Sequence, residues 1–136
     1  MDNFSTIQLD DLALKKSWQH KFKLISQWGD LVSPKPDLRI APNLVKGCET
    51  QAWLAHTCRD GYHFFYLDAD SKIIRGLGAL LLSQVDNKTQ KEIESLPLKD
   101  MFISHGLEKH LNPSRANGFR ALTNRCCALA NIPPKL

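Results

Sequence analysis

The sequence predicts an α+β fold in which a small antiparallel sheet packs against several helices, and three observations carry that expectation. Trp18, Phe22, Ile25 and Trp28 recur at helical spacing near the N-terminus, forming one apolar stripe. Mid-chain, "TQAWLAHTCRDGYHFFYLDAD" reads as two strands around Asp60-Gly61, a pair suited to a two-residue turn whose central residues both take positive φ. Near the end, Asn112 and Pro113 supply an N-cap acceptor and a residue pre-set for the first helical position. Helices, then a hairpin, then further helices make an α+β domain.

The elements follow in order. Ser5 and Gln8 have capping-box spacing ahead of Leu9, Leu12 and Ala13, which predicts a short first helix. Ser17 caps the second, and Gly29 stops it. Pro34, Pro36 and Pro42 remove backbone donors and predict an extended loop leading to Val45–Cys48. The hairpin register sets Arg59 opposite Tyr62 and Cys58 opposite His63. Leu54, His56, Cys58, His63, Phe65 and Leu67 then share one face, and Trp53, Ala55, Thr57, Phe64 and Tyr66 the other. Both faces carry apolar residues, so pattern alone leaves open which one meets the helices.

Asp70, with Asp68 beside it, is the expected cap of a third helix whose apolar surface is Ile73, Ile74, Leu77, Leu80, Leu81 and Val85. Gly76 and Gly78 each cost about 1 kcal/mol in a helix interior, and close packing against the sheet is the expected compensation. Thr89 starts a short helix that Pro97 interrupts, and one or two more short helices follow within 95–111. On the last helix Ala116, Phe119, Leu122, Cys126 and Leu129 share a face, and Pro133 and Pro134 close the chain.

Composition narrows the function classes. A chain of 136 residues, 43% hydrophobic and 24% charged, fits one globular domain over 1–136 with room for one core. The longest apolar run, around Leu77–Leu82, is too short to span a bilayer. The start "MDNFSTIQLDD" is polar and acidic, unlike a signal peptide, so the expected location is the cytoplasm and no membrane partner is expected. The net charge of +4 is spread along the chain, without a basic block or an aromatic–basic RNA-binding motif, which argues against a nucleic-acid partner.

Cys48, Cys58, Cys126 and Cys127 are expected as thiols, and their spacing contains no CxxC pair. A metal cluster using His56 and Cys58 has no further support, and no metal is expected. Cys126 and Cys127 fall in a helical pattern that favours core packing. Cys48 differs. It follows the proline-rich loop and Gly47, where side chains are presented to partners. Lys46 favours the thiolate and Glu49 opposes it, so local charge leaves a reactive thiol and an inert turn cysteine about equally open. No base or oxyanion motif stands beside it, which disfavours acyl transfer.

Three ordered stretches resemble the SufE-like family of sulfur acceptors. "VKGCETQAWL" looks like the segment around the family's acceptor cysteine, "DADSKIIRGLGALLL" like its acidic turn entering a helix, and "HLNPSRANGF" like its Ser-Arg-x-Asn-Gly signature. The resemblance runs from about Trp18 to Ala130, and Gly47-Cys48-Glu49 with "SLPLKDMFISHGL" is closer to the CsdE branch than to SufE itself. It implies a SufE/IscU-like fold and a sulfur-transfer accessory protein rather than a stand-alone enzyme. Cys48 would take persulfide sulfur from a cysteine desulfurase of the SufS/CsdA type, stimulate that enzyme, and pass the sulfur to a downstream acceptor or scaffold for iron–sulfur cluster assembly or a related pathway. Pyridoxal phosphate would belong to the partner, and this chain would carry no cofactor. Lys46, Gly47, Glu49, Gln51, Asp70, Arg115 and Gly118 would support the loop or contact the partner, with Trp53 at the loop's base. Arg115 has two readings, a ligand for a carboxylate or the Cys48 loop, and a structural ion pair. Cys58, Cys126 and Cys127 are assigned to structure. Two other classes stand beside this reading: a cluster scaffold, which needs three converging ligands, and a desulfurase activator that carries no sulfur.

Overall fold

A proline-rich segment and a hairpin set the frame on which the helices pack. The computed structural model describes residues 2–136. In chain order these form α1 (Asp10–Ala13), α2 (Trp18–Gly29), two 3-10 turns (Pro36–Leu38 and Ala41–Asn43), β1 (Ala52–Arg59), β2 (Tyr62–Ala69), α3 (Lys72–Val85), β3 (Lys88–Thr89), α4 (Gln90–Ser95), α5 (Leu98–Ser104), α6 (Leu107–His110) and α7 (Pro113–Leu129). The sheet is antiparallel in the order β1-β2-β3, so the architecture is α+β.

The hairpin has the expected register, Arg59 opposite Tyr62 and Cys58 opposite His63. Its turn takes φ of 54° at Asp60 and 81° at Gly61, the geometry an Asp-Gly pair permits. Leu54, Phe65 and Leu67 are buried, so their face meets the helices. The opposite face is covered locally. The Arg39 guanidinium lies 4.4 Å over the Trp53 ring, and Leu44 bridges to Trp53. The proline-rich segment thus buries Trp53, which explains why both faces carry apolar residues.

Helix α3 is the central element, packed against α2, α7 and β2. Ten of its fourteen residues are buried, the signature of a helix apolar nearly all round. Its cap corrects the sequence expectation: Ser71, not Asp70, accepts the Ile74 N–H, while Asp70 accepts from Arg39 Nη1 at 2.7 Å. The glycines are only half as expected. A Cβ on Gly78 would stand 2.3 Å from Leu67 of the sheet, but one on Gly76 would stand 1.9 Å from the Ile25 carbonyl oxygen of α2. The close approach at Gly76 is therefore helix to helix.

Other local signals hold or shift. The Ser17 cap, the Thr89–Glu92 capping box and the Asn112 cap with Pro113 are all present. The Ser5–Gln8 box is not. Helix α1 starts at Asp10 with no side-chain cap, and the Ser5 N–H bonds Asn3 Oδ1 instead. The proline-rich loop holds two 3-10 turns rather than one extended run. Strand β3 is an addition, two residues paired with Tyr62 and His63. Cys126 and Cys127 are buried in the core as expected, whereas Cys58 is exposed near the hairpin turn and packs into no core.

Candidate functional site

The Cys48 loop leaves and re-enters the frame through one clip. Val45 N–H donates to the Ala52 carbonyl at 2.8 Å, and the Asp70 N–H donates to the Gln51 carbonyl at 3.0 Å. Residues 46–51 bulge between these bonds. Gly47 takes φ +92°, a conformation that strains any L side chain. Space is not the constraint there, since a Cβ would meet Ala121 at an ordinary 3.5 Å. Through this turn the loop lies on α7.

The loop tips Cys48 inward. Its side chain is half-buried in a cavity of about 320 Å³ between the loop and the first turns of α3 and α7. Ile73, Ile74, Ser114 and Arg115 line it with Glu49 and Thr50. Gly118 forms the wall behind the sulfur: a Cβ there would lie 3.1 Å from Cys48 Sγ and 3.0 Å from Ile74 Cδ1. The loop is latched to α7 by Ser114, whose hydroxyl donates to Glu49 Oε2 at 2.7 Å. The α7 cap that sets Ser114 in place is the bond from Arg115 N–H to Asn112 Oδ1 at 2.8 Å.

Burial pushes the Cys48 thiol up from its ordinary value, because removal from water disfavours the thiolate. Hydrogen bonds from the Thr50 hydroxyl and N–H pull it part-way back, and the Glu49 charge adds to the rise. Lys46 is not among the groups acting on the thiol. It is exposed and lines a separate groove beyond the loop. Arg115 stacks its guanidinium 4.6 Å over the Phe22 ring of α2. No carboxylate among the described residues pairs with it, so the structural-ion-pair alternative is not realised there.

The structure thus gathers Cys48, Glu49, Arg115 and Gly118 at one cavity, and holds Gly47 in the turn that seats them. The Gln51 and Asp70 side chains point elsewhere: Gln51 is exposed, and Asp70 bonds Arg39. Thr50 and Ser114 were missed by the sequence reading, although both fall inside the stretches quoted above. Thr50 bonds Cys48 from two positions along the chain, a local contact that spacing could have suggested, whereas the Ser114–Glu49 bond spans 65 residues and spacing does not encode it. The other cysteines do not converge on Cys48. Cys58 lies six residues along β1 from Ala52, about 20 Å at strand rise. Cys126 lies eight residues along α7 from Gly118, about 12 Å at helical rise. Among the described residues no three His, Cys, Asp or Glu side chains gather as a metal site, and no helix is long and apolar enough to cross a membrane.

Comparison with known proteins gives the family and the fold. The family model for the SufE domain, described as an Fe–S metabolism associated domain, matches residues 7–130. The chain belongs to the SufE family. A SufE-like protein of Rhizobium meliloti (strain 1021), itself described as uncharacterized, is 32% identical over 122 residues, covering 86% of this chain and 87% of the relative. A solution structure of a hypothetical protein from Thermus thermophilus superposes with a TM-score of 0.70 at 19% identity, covering 88% of this chain and 87% of that one. That likeness shows a shared fold. Membership of the SufE family ties the chain to iron–sulfur metabolism, and it covers all three stretches that carry the resemblance.

Proposed function

We propose that this protein is a sulfur carrier whose Cys48 accepts persulfide sulfur from a cysteine desulfurase. The observation that carries the reading is the seating of Cys48: an inward-facing thiol on a clipped loop, walled by Gly118 and Ile74 and latched by one exposed side-chain bond. The transfer is a thiol–persulfide exchange. The Cys48 thiolate attacks the outer, sulfane sulfur of the desulfurase persulfide. A new S–S bond forms at Cys48, the old one breaks, and the desulfurase cysteine leaves as thiolate. Atoms and charge balance without an outside oxidant, since a neutral sulfur moves from one thiolate to another.

Opening the loop brings Cys48 to the donor, and closing it returns the loaded sulfur to the cavity. The raised thiol suits this cycle. The closed state holds Cys48 as the unreactive neutral thiol, and exposure restores thiolate chemistry. Loading stimulates the desulfurase by clearing its persulfide, and the sulfur passes to an iron–sulfur assembly scaffold or a related acceptor. Pyridoxal phosphate resides on the partner. Gly47-Cys48-Glu49 and the segment 95–107 support the CsdE branch of the family.

Intact mass after incubation with a desulfurase, pyridoxal phosphate and cysteine tests the reading. The wild-type chain gains one sulfur that reductant removes, and Cys48→Ser gains none. Full desulfurase stimulation by Cys48→Ser would replace the carrier with an activator that carries no sulfur.

A further inference from the structure

Among the described residues one buried side-chain nitrogen has no hydrogen-bond partner, Nε of Arg125 on α7. The same guanidinium reaches the Pro42 carbonyl only through Nη2, at 3.5 Å, which is long for a hydrogen bond. A guanidinium has five N–H donors, and among the described residues this one makes a single long contact with the chain, which leaves donor capacity on its exposed edge for a partner. Arg125 lines a groove of about 570 Å³ between α7 and the segment leading to Cys48. Pro42 and Leu44 form one wall, Ala121 and Ala128 the other, and Lys46 stands at the rim. No ion pair involves Lys46 or Arg125 among the described residues. Leu44 is 36% exposed, and the nearby Ile40 is 52% exposed.

The groove lies on the other side of the Cys48 loop from the cavity, one turn of chain away. Gly47 rests on Ala121, which also lines the groove, and Cys48 is the next residue. A protein that brings a persulfide to Cys48 comes within two residues of Lys46 at the groove's rim. Two unpaired cations around an apolar channel fit a carboxylate carried on an apolar segment. A nucleic-acid backbone calls for a longer array of cations. We infer that the groove between residues 41–46 and α7 docks an acidic, apolar-flanked segment of the sulfur-donating partner, with Arg125 and Lys46 receiving its carboxylates. This rests on the sulfur-carrier reading for the partner's identity, and it adds a binding surface that reading does not contain.

Equilibrium binding to a resting cysteine desulfurase, measured without cysteine, tests the groove separately from transfer. Arg125→Glu and Lys46→Glu should each weaken binding tenfold or more, and wild-type binding should fall as salt rises. Lys15→Glu, an equal charge change outside the groove, should bind as wild type does. Direct reaction of Cys48 with inorganic polysulfide, which needs no docking, reports the state of fold and thiol in each variant. Arg125→Glu should change that rate less than twofold. If Arg125→Glu is misfolded, the exposed Lys46→Glu carries the test alone. Binding within twofold of wild type in folded groove variants overturns the inference, whatever happens to transfer. So does tight binding of single-stranded RNA that Arg125→Glu abolishes while desulfurase binding stays intact. If wild type binds through the groove but takes no sulfur, the carrier reading fails and the docking surface stands.

Discussion

Replacing Gly118 by alanine tests whether the cavity wall shields the thiol. The added Cβ would lie 3.1 Å from Cys48 Sγ and 3.0 Å from Ile74 Cδ1. Carbon contacts settle at about 3.5–4.0 Å, so each neighbour must give by roughly half an ångström. Ile74 is held in a buried helix, whereas Cys48 rides on a loop tied at its ends and latched by the exposed Ser114–Glu49 bond. The loop therefore yields first. Alanine in place of an interior helical glycine gains about 1 kcal/mol of helix propensity, and overpacking costs about 1–3 kcal/mol. The net is a loss of about 0–2 kcal/mol, a fall in Tm of at most about 10 °C for a chain of this size. The chain stays folded while the sulfur moves outward. The assay is the second-order rate of Cys48 alkylation by iodoacetamide, read by peptide mass so that the exposed Cys58 does not interfere. A several-fold faster rate at unchanged fold is expected. An unchanged rate in a protein of unchanged Tm would refute the idea that Gly118 sets the seat of the thiol.

Three further outcomes follow from the same contacts. Because burial raises the Cys48 thiol, its alkylation in the folded chain should reach half-maximum at higher pH than the same cysteine in urea, and a coincident profile would contradict the buried seat. Asp68 is pushed up by burial, but bonds from Arg39, Lys35 and Ala69 outweigh that and hold it below the usual carboxylate range. A depressed carboxyl stabilises the fold above its unfolded pKa of about 3.9 and loses that contribution as pH falls through the folded value. Asp68→Asn should therefore be less stable at neutral pH and show a flatter loss of stability below about pH 4 in urea titrations. Gly76→Ala, whose Cβ would stand 1.9 Å from the Ile25 carbonyl oxygen, forces α2 from α3. A loss of about 3 kcal/mol or more is expected from chemical denaturation; stability near wild type would mean the helices pack elsewhere.

Local chemistry made much of this readable from sequence. The Asp60-Gly61 turn, the Ser17 cap, the Thr89–Glu92 box and Asn112-Pro113 each depend on residues within a few positions, and each forms. Where two local solutions compete, a distant residue decides. Asp70 and Ser71 are both good caps, and Ser71 takes the role while Asp70 bonds Arg39, thirty-one residues away. The Ser5 box fails because Asn3 already holds the Ser5 N–H. Strand β3 has two residues, too few for any period, and follows Asn87, whose φ is +58°. The faces of the hairpin were readable, but which face met the helices depended on Arg39 and Leu44 covering Trp53.

The candidate site follows the same division. Gly47 and Cys48 stand out in sequence because a turn glycine and a thiol are local facts. The charge of Lys46 beside Cys48 was the natural local argument for a reactive thiolate, and it does not act there, because the chain turns at Gly47 and sends Lys46 to the groove and Cys48 to the cavity. The thiol is governed instead by burial against Ile74 and Gly118, brought from two helices that the sequence places far away, and by its near neighbours Thr50 and Glu49. In the proposed carrier this separation is useful. A cation acting on the sulfur would favour thiolate in the closed loop and expose it to oxidants, whereas burial favours the neutral thiol until the loop opens. The cost in that proposal is that closure must be weak enough to undo, and the Ser114–Glu49 bond is of that scale, since an exposed side-chain hydrogen bond contributes about 1 kcal/mol.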